Sequence, residues 1–263
     1  MPGRSMNPHI VVCIKAVVIK ATGGRVVRTP DIVRLNAFDL PAVESALQLR
    51  AQCGGSVTVL SMGPPSSRIV MAEALAMGAD RAVLVSDPGL AGADTLATST
   101  TLAAALRKLA PYELVLFGVR SSDSDTGQVG PQTAVELDIP LVTGVNRIEP
   151  RDGGLRVERT LDLWVETFEV DFPAALTVRP EAARSRDIPL GGLAQAFDQG
   201  EVELLTGADL GLAPERVGEA GSPTRVLSIK PITHERRCRF LEGETAEIAD
   251  QLMDHLIAKG LVD

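Results

Sequence analysis

Aliphatic, mostly β-branched runs that alternate with helix-spaced segments constrain this chain more than any other feature. HIVVCIKAVVI (9–19), SVTVLSMG (56–63), RAVLVSD (81–87), YELVLFGV (112–119) and LVTGVNRI (141–148) read as strands, the first covered on both faces and the second buried. Between them, DLPAVESALQLRAQC (39–53) carries Val43, Ala46 and Leu47 at helical spacing and stops at Gly54-Gly55. PPSSRIVMAEALAMGAD reads as a helix closed by Gly78, and DTLATSTTLAAALRKLA sets Leu102, Leu106 and Leu109 on one face. A fourth helix follows Thr126 and runs to about Leu137. Strands that alternate with helices require right-handed crossovers and a parallel sheet with helices on both faces.

The rhythm then changes. LRVERTLD and ETFEVDFP alternate in polarity, with Leu155, Val157, Phe168, Val170 and Phe172 against Arg156, Glu158, Glu169 and Asp171. That pattern is an antiparallel hairpin with one wet face, and AALTVRP returns to a buried strand. From about Pro180 regular periodicity is lost, and the segment to residue 222 reads as an extended arm rather than core. A last helix, roughly residues 245–259, carries Ile248, Leu252 and Leu256 on one stripe. Arm and amphipathic tail together call for a covering surface that lies partly on another protein. The expected organisation is an α/β domain over residues 1–180 and an appended segment over 181–263.

Composition narrows the function. Of 263 residues 45% are apolar but only 3% aromatic, so the core has to be aliphatic. The net charge is −8 with no dense basic run, which argues against nucleic acid as the main partner. No apolar run reaches spanning length, and MPGRSMNPHIVV has no signal-peptide pattern, so a soluble protein of the cytoplasm is expected. Cys13, Cys53 and Cys238 make neither a disulfide framework nor a metal knuckle, and His9, His234 and His255 form no constellation. GxSxG, HExxH, CxxC and GxxxxGK[ST] are all missing. No residue is therefore assigned a catalytic or metal-binding role, and any redox chemistry belongs to a cofactor.

The loop DSDTGQVGP (123–131) lies at a strand-to-helix junction. In an open α/β sheet, ligands bind beyond the carboxyl ends of the strands. Four segments should meet there: the end of strand one at Cys13, LNAFD (35–39), Ser61-Met62-Gly63, and residues 118–131. The helix after Thr126 offers free N–H groups and a positive dipole end for a phosphate. Gly127 and Gly130 let the backbone approach, while Thr126 and Gln128 add donors. Asp123 and Asp125 would repel a phosphate at close range, so they are expected to accept from loop amides or a ribose hydroxyl. In LNAFD, Asn36 or Asp39 is either a helix cap or a contact to adenine or ribose. Cys13 reads most simply as a small core residue.

VVCIK (11–15), LNAFD, VTVLSMGP (57–64), ALAMGADRAVLV (74–85), DTLATS (94–99) and DSDTGQVGP, in this order, resemble the β subunit of electron transfer flavoproteins over almost the whole chain. The resemblance implies a Rossmann-like sheet of the adenine nucleotide α-hydrolase type. It also implies a heterodimer with an α subunit that holds the electron-transferring FAD. By position, the family's nucleotide contacts fall on Cys13, Asn36, Ala37, Phe38, Asp39 and Met62, and on Gly118, Val119, Arg120, Ser121, Asp123, Asp125, Thr126, Gly127, Gln128, Val129 and Gly130. The partner-recognition loop falls on residues 180–196, with Arg184 and the apolar anchor Ile188-Pro189 facing a dehydrogenase or quinone oxidoreductase. No Lys-rich segment follows that anchor, which puts the usual dehydrogenases in question as partners.

Members with AMP in the β subunit tend to read N-Q-T-G where this chain has Gly127-Gln128-Val129-Gly130. The T-x-Q-V-G-P form resembles the electron-bifurcating branch, in which the β site holds a second FAD that takes a hydride from NADH. The subunit so implied is an electron carrier without independent catalytic activity. Two other readings of the sheet are a universal-stress-type module binding ATP or AMP and an ATP-pyrophosphatase. The first lacks its Gly-rich loop near the C-terminal strand. The second needs a Gly-rich, Ser-bearing loop after strand one, where KAVVIKATGG stands instead.

Overall fold

The computed structural model describes residues 7–18, 33–228 and 238–262. Its chain order opens β1 (His9–Cys13), β2 (Ala16–Val18), β3 (Val33–Leu35), α1 (Leu40–Cys53), β4 (Ser56–Met62), α2 (Arg68–Met77) and β5 (Arg81–Val85). Next come α3 (Thr95–Leu109), β6 (Leu114–Gly118), α4 (Val129–Leu137), β7 (Leu141–Arg151), β8 (Gly154–Leu161), β9 (Trp164–Asp171) and β10 (Ala174–Val178). The remainder is α5 (Leu190–Gln199), β11 (Val202–Leu205) and α6 (Thr245–Ala258). The main sheet has the order β11-β5-β4-β1-β6-β10-β7-β8-β9, parallel from β11 through β7 and antiparallel in β8 and β9. The α/β expectation holds, with a parallel sheet, helices on both faces and an added hairpin.

Alternation along the strands explains the layers. Ile10, Val12, Val57, Val59, Leu84, Leu114, Leu116 and Leu176 pack with α1 and α2 on one face. Val11, Leu60, Val83, Val85, Val115 and Phe117 pack with α3 and α4 on the other. Successive residues of a strand point to opposite faces, so a strand buried on both must be apolar throughout. The hairpin shows the other pattern. Leu155 pairs with Val170 and Val157 with Phe168, while Arg156 faces Glu169 on the wet side.

Some elements differ from expectation. The first apolar run does not make one strand to residue 19. It breaks after Cys13, and β2 pairs antiparallel with β3 in a separate two-stranded sheet. The rest of KAVVIKATGG, beyond Val18, and His234 lie outside the described residues. β7 is longer than 141–148 because it pairs in parallel with β10 at its start and antiparallel with β8 towards its end.

The segment after Pro180 is not a free arm. α5 packs against α2, and β11 extends the sheet beyond β5. The first compact unit therefore runs through Ser228 rather than ending at 180, and the second covers residues 229–263. Four residues, VELL, are too few to show a period, which is why this edge strand escaped the sequence reading. In the second unit, α6 opens on a capping box between Glu244 and Glu247 and leaves Leu252, Met253 and Ile257 largely exposed. Among the described residues no helix is long and apolar enough to cross a membrane.

One ion pair ties the segment before α5 to the body. Arg186 Nε and Nη2 donate to Glu44 at 2.7 and 3.1 Å, and Gln48 Nε2 donates to the same carboxylate at 3.0 Å. Burial opposes the charge on Glu44, but these donors hold its carboxyl below the ordinary 4.5. Its contribution to stability is thus present above the unfolded value and lost as pH falls through the lowered one. Glu44→Gln is expected to free the segment, so that trypsin cuts after Arg184 and Arg186 several-fold faster, read by mass spectrometry of timed digests. Unchanged cleavage would remove this pair as the anchor.

Candidate functional site

Strand order places the site. From β1 the chain adds β4 and then β5 on one side, and it crosses to place β6 on the other. Neighbouring loops therefore leave in opposite directions above β1 and β6, and a crevice opens at their carboxyl ends. β4, β1 and β6 are adjacent, so Cys13, Met62 and Gly118 end three neighbouring strands. The loop 36–39 lies over them. The four segments expected to converge do so.

Cys13 is buried between Leu60 and Phe117, and its thiol is pushed up by burial and then by the charge of Asp39. It is a core thiol, not a nucleophile.

Asp39 and Asn36 form a closed polar cage. The Lys15 amide donates to Asp39 Oδ2 at 2.7 Å, Asn36 Nδ2 donates to Asp39 Oδ1 at 2.9 Å, and the Gly118 amide is a third donor. Asn36 Nδ2 also reaches the Arg120 carbonyl at 2.9 Å, and its Oδ1 accepts from the Ser122 amide at 3.1 Å. Asn36 is 1% and Asp39 5% exposed, so neither presents a free polar edge to solvent. The helix-cap reading is corrected, because Asp39 sits at the start of α1 yet its side chain makes no cap bond. Burial pushes its carboxyl up to about 7, opposed by the Lys15 amide, Asn36, the Lys15 charge and the Gly118 amide. A Cβ on Gly118 would lie 2.2 Å from Asp39 Oδ1 and 2.5 Å from the Phe38 carbonyl oxygen, so only glycine fits there.

The two aspartates of the loop have partners that sequence could not show. Asp123 Oδ1 accepts from Lys15 Nζ at 2.7 Å, and both oxygens of Asp125 accept from Arg120 Nη1 at 3.1 and 3.2 Å. Arg120 also lies over the half-buried Phe38 ring, 4.5 Å from its centre. Burial works against the charge of Asp123, but Lys15, Ser121 and Ser124 hold its carboxyl below the ordinary value. Each aspartate thus has a cation beside it, Lys15 for Asp123 and Arg120 for Asp125. The repulsion of an incoming phosphate is thereby largely cancelled.

α4 starts at Val129, two residues later than expected, and Gln128 precedes it without a side-chain cap bond. Asp125 (φ 53) and Gly127 (φ 62) are both left-handed, which turns the chain sharply before the helix. Gly130 is buried, and a Cβ there would stand 3.0 Å from Thr177 and 3.1 Å from Phe117. Thr126, Gly127 and Gln128 thus present backbone at a helix start whose amides and dipole favour an anion. Gln128 Oε1 accepts from Thr95 Oγ1 at 3.1 Å, so the start of α3 borders the same loop. Neither Thr95 nor Lys15 was singled out from the sequence. DTLATS was noticed only as a resemblance, and a lone lysine after a strand carries no signal. Ala37 is exposed beside Phe38, and Met62, Val119 and Ser121 are half-buried.

The partner-loop residues are placed less evenly. Arg184 and Pro189 are exposed, but Ile188 is half-buried against the core. The outward apolar side chain of this segment is Leu190, 85% exposed.

The electron transfer flavoprotein domain model matches residues 23–210. The electron transfer flavoprotein subunit beta of Thermoanaerobacterium thermosaccharolyticum is 39% identical over 233 residues, covering 89% of this chain and 88% of that protein. The protein of the same name from Clostridium acetobutylicum is 41% identical over 226 residues, 83% of this chain and 86% of the relative. The caffeyl-CoA reductase-Etf complex subunit CarD of Acetobacterium woodii is 36% identical over 262 residues, 97% of this chain and 100% of its own length. These likenesses give no support to the universal-stress or pyrophosphatase alternatives.

Proposed function

Because the chain belongs to the electron transfer flavoprotein family and is of its β-subunit type, we propose that its crevice binds the adenylate portion of a FAD. On this reading it works as an electron carrier with an α-type partner subunit. The observation that carries the proposal is the backbone around Gly127, which turns left-handed into an uncapped helix start next to the Asn36–Asp39 cage. Gly127 brings no side chain into the space before α4, which leaves room for a diphosphate rather than a single phosphate. A Cβ at Gly118 or Gly130 would strike the protein's own atoms, so these glycines let the loop and α4 pack closely against the strand ends beneath the crevice.

A flavin bound there would supply the electron transfer, taking a hydride from NADH and passing electrons on. The chain's own residues bind and orient it. Amides at the start of α4 would hold the phosphates, while Thr95 steadies Gln128 and Arg120 lies on Phe38 at the other side of the loop. Cys13 keeps the floor apolar. On this reading the chain has no catalysis of its own and supports bifurcation only within the complex. Since CarD belongs by name to a reductase–Etf complex, a flavin-dependent reductase or dehydrogenase is the matching class of partner. The segment with Arg184, Ile188, Pro189 and Leu190 is the proposed docking element.

The test is to co-express the chain with its genomic neighbour, purify the complex in the cytoplasmic fraction, and quantify released nucleotides. Two FAD per heterodimer is the expected result. One FAD and one AMP would assign the site to the simple carrier type, and ATP without flavin colour would overturn the proposal.

A further inference from the structure

We propose that Lys15 is a positioning residue of this site, a clamp that holds the loop 121–124 at the end of β1 and thereby sets residues 127–130 for the phosphates. The inference rests on the nucleotide reading above. An ammonium group has three donors. Here all three are matched, by Asp123 Oδ1 at 2.7 Å, Ser124 Oγ at 3.0 Å and Ser121 Oγ at 3.3 Å. No donor is left for a phosphate, so Lys15 does not act as a direct anion ligand despite its place at the crevice.

Its main chain is committed as well. The Lys15 amide donates to Asp39, and its carbonyl accepts from the Asn36 amide at 3.0 Å. One residue therefore joins the end of β1 to the loop 36–39 and to the loop 121–124, the latter more than a hundred positions away in sequence. The Lys15 and Asp123 side chains are 36% and 21% exposed, so water only partly compensates either charge if the other is removed. Loss of the ammonium removes the one group that Asp123, Ser121 and Ser124 share, and the loop loosens at that point.

The test uses the full chain with any copurifying subunit left in place, comparing wild type with Lys15→Met, Lys15→Arg, Asp123→Asn and the double variant. Amide hydrogen exchange over residues 121–127 after nucleotide removal is expected to rise about ten-fold in Lys15→Met while β4 and β6 keep their protection. FAD or AMP is expected to dissociate about ten-fold faster from the same variant. Asp123→Asn should match it, with the double variant little worse than either single one. Lys15→Arg should recover only part of the effect, because a planar guanidinium cannot offer three tetrahedral donors.

Unchanged exchange in Lys15→Met overturns the clamp whether or not a nucleotide is present. Tighter nucleotide retention in Asp123→Asn also overturns it, since a freed ammonium would then be a phosphate ligand. Faster exchange in Lys15→Met, in a protein whose wild type holds no nucleotide, upholds the clamp on the loop and defeats the nucleotide reading instead.

Discussion

A methyl group placed on Gly118 is expected to cost about 3 kcal/mol of stability and, on the proposed function, to abolish nucleotide binding. The added carbon would lie 2.2 Å from Asp39 Oδ1, 2.5 Å from the Phe38 carbonyl oxygen and 2.7 Å from the Phe38 carbonyl carbon. Two of these three atoms are backbone, and the third belongs to a carboxylate held by the Lys15 amide and Asn36. The clash cannot be relieved by swinging a surface side chain away. Either Asp39 leaves its donors or the end of β6 moves off β1, and both open the crevice. Denaturant midpoint and nucleotide content after desalting measure the effect. Gly191→Ala is the control, because a Cβ there meets nothing within 4 Å. A Gly118→Ala protein that keeps both its midpoint and its nucleotide would show that the strand ends are not packed as described.

Asp39→Ala is expected to be at least as damaging, for the opposite reason. It adds no atoms but removes the acceptor shared by the Lys15 amide, Asn36 Nδ2 and the Gly118 amide. A buried donor without a partner costs roughly 1–3 kcal/mol, so the loss should be on the order of 4 kcal/mol. For a chain of this length that lowers the melting temperature by about 10 °C. The pH dependence has a definite sign. Burial raises the Asp39 carboxyl from its ordinary 3.8 to about 7, so between these values the folded state holds a proton that the unfolded state has lost. Stability from this group is full below the lower value and is lost as pH rises through the upper one. Asp39→Asn carries no charge at any pH and should abolish this slope. Denaturation midpoints near about pH 5 and about pH 8 should therefore converge on, or fall below, those of Asp39→Asn as pH rises. A wild type that gains stability over that interval relative to Asp39→Asn would show that Asp39 stays ionised throughout.

Much of the fold was legible because its signals are local. IVVC (10–13), AVLV (82–85) and LVLF (114–117) are apolar at every position, as a strand covered on both faces requires. Helix α2 ends at Gly78 and α1 at Gly54, where the sequence places their stops. The hairpin alternates with period two and pairs as that pattern predicts. Apart from the ten-residue α5, hidden in a segment that reads as an arm, the missed elements are short strands. β2 and β3 have three residues each and β11 has four, and such lengths carry no measurable period.

The candidate site was legible as a set of segments but not as a set of bonds. Loop residues 123–131 announced a strand-to-helix turn, yet nothing in the loop foretold the cations beside Asp123 and Asp125. The cation for Asp123 comes from Lys15, 108 positions earlier, and nothing along the chain links the two. Asn36 was noticed as a cap or a ligand contact, while its bonds run to Arg120 and Ser122 across more than eighty residues.

By itself the sequence determined the strands and helices of the α/β core, its two-sided burial and the backbone freedom of the loop at 123–131. Those properties depend on residues within one element, where side-chain period and glycine act directly. Only the tertiary structure decided that β1 lies between β4 and β6, that β11 closes the sheet's edge, and that Lys15, Asn36 and Asp39 lock the crevice. Those depend on the order in which strands pair, and the bonds that result join residues whose distance in the chain says nothing about their distance in space.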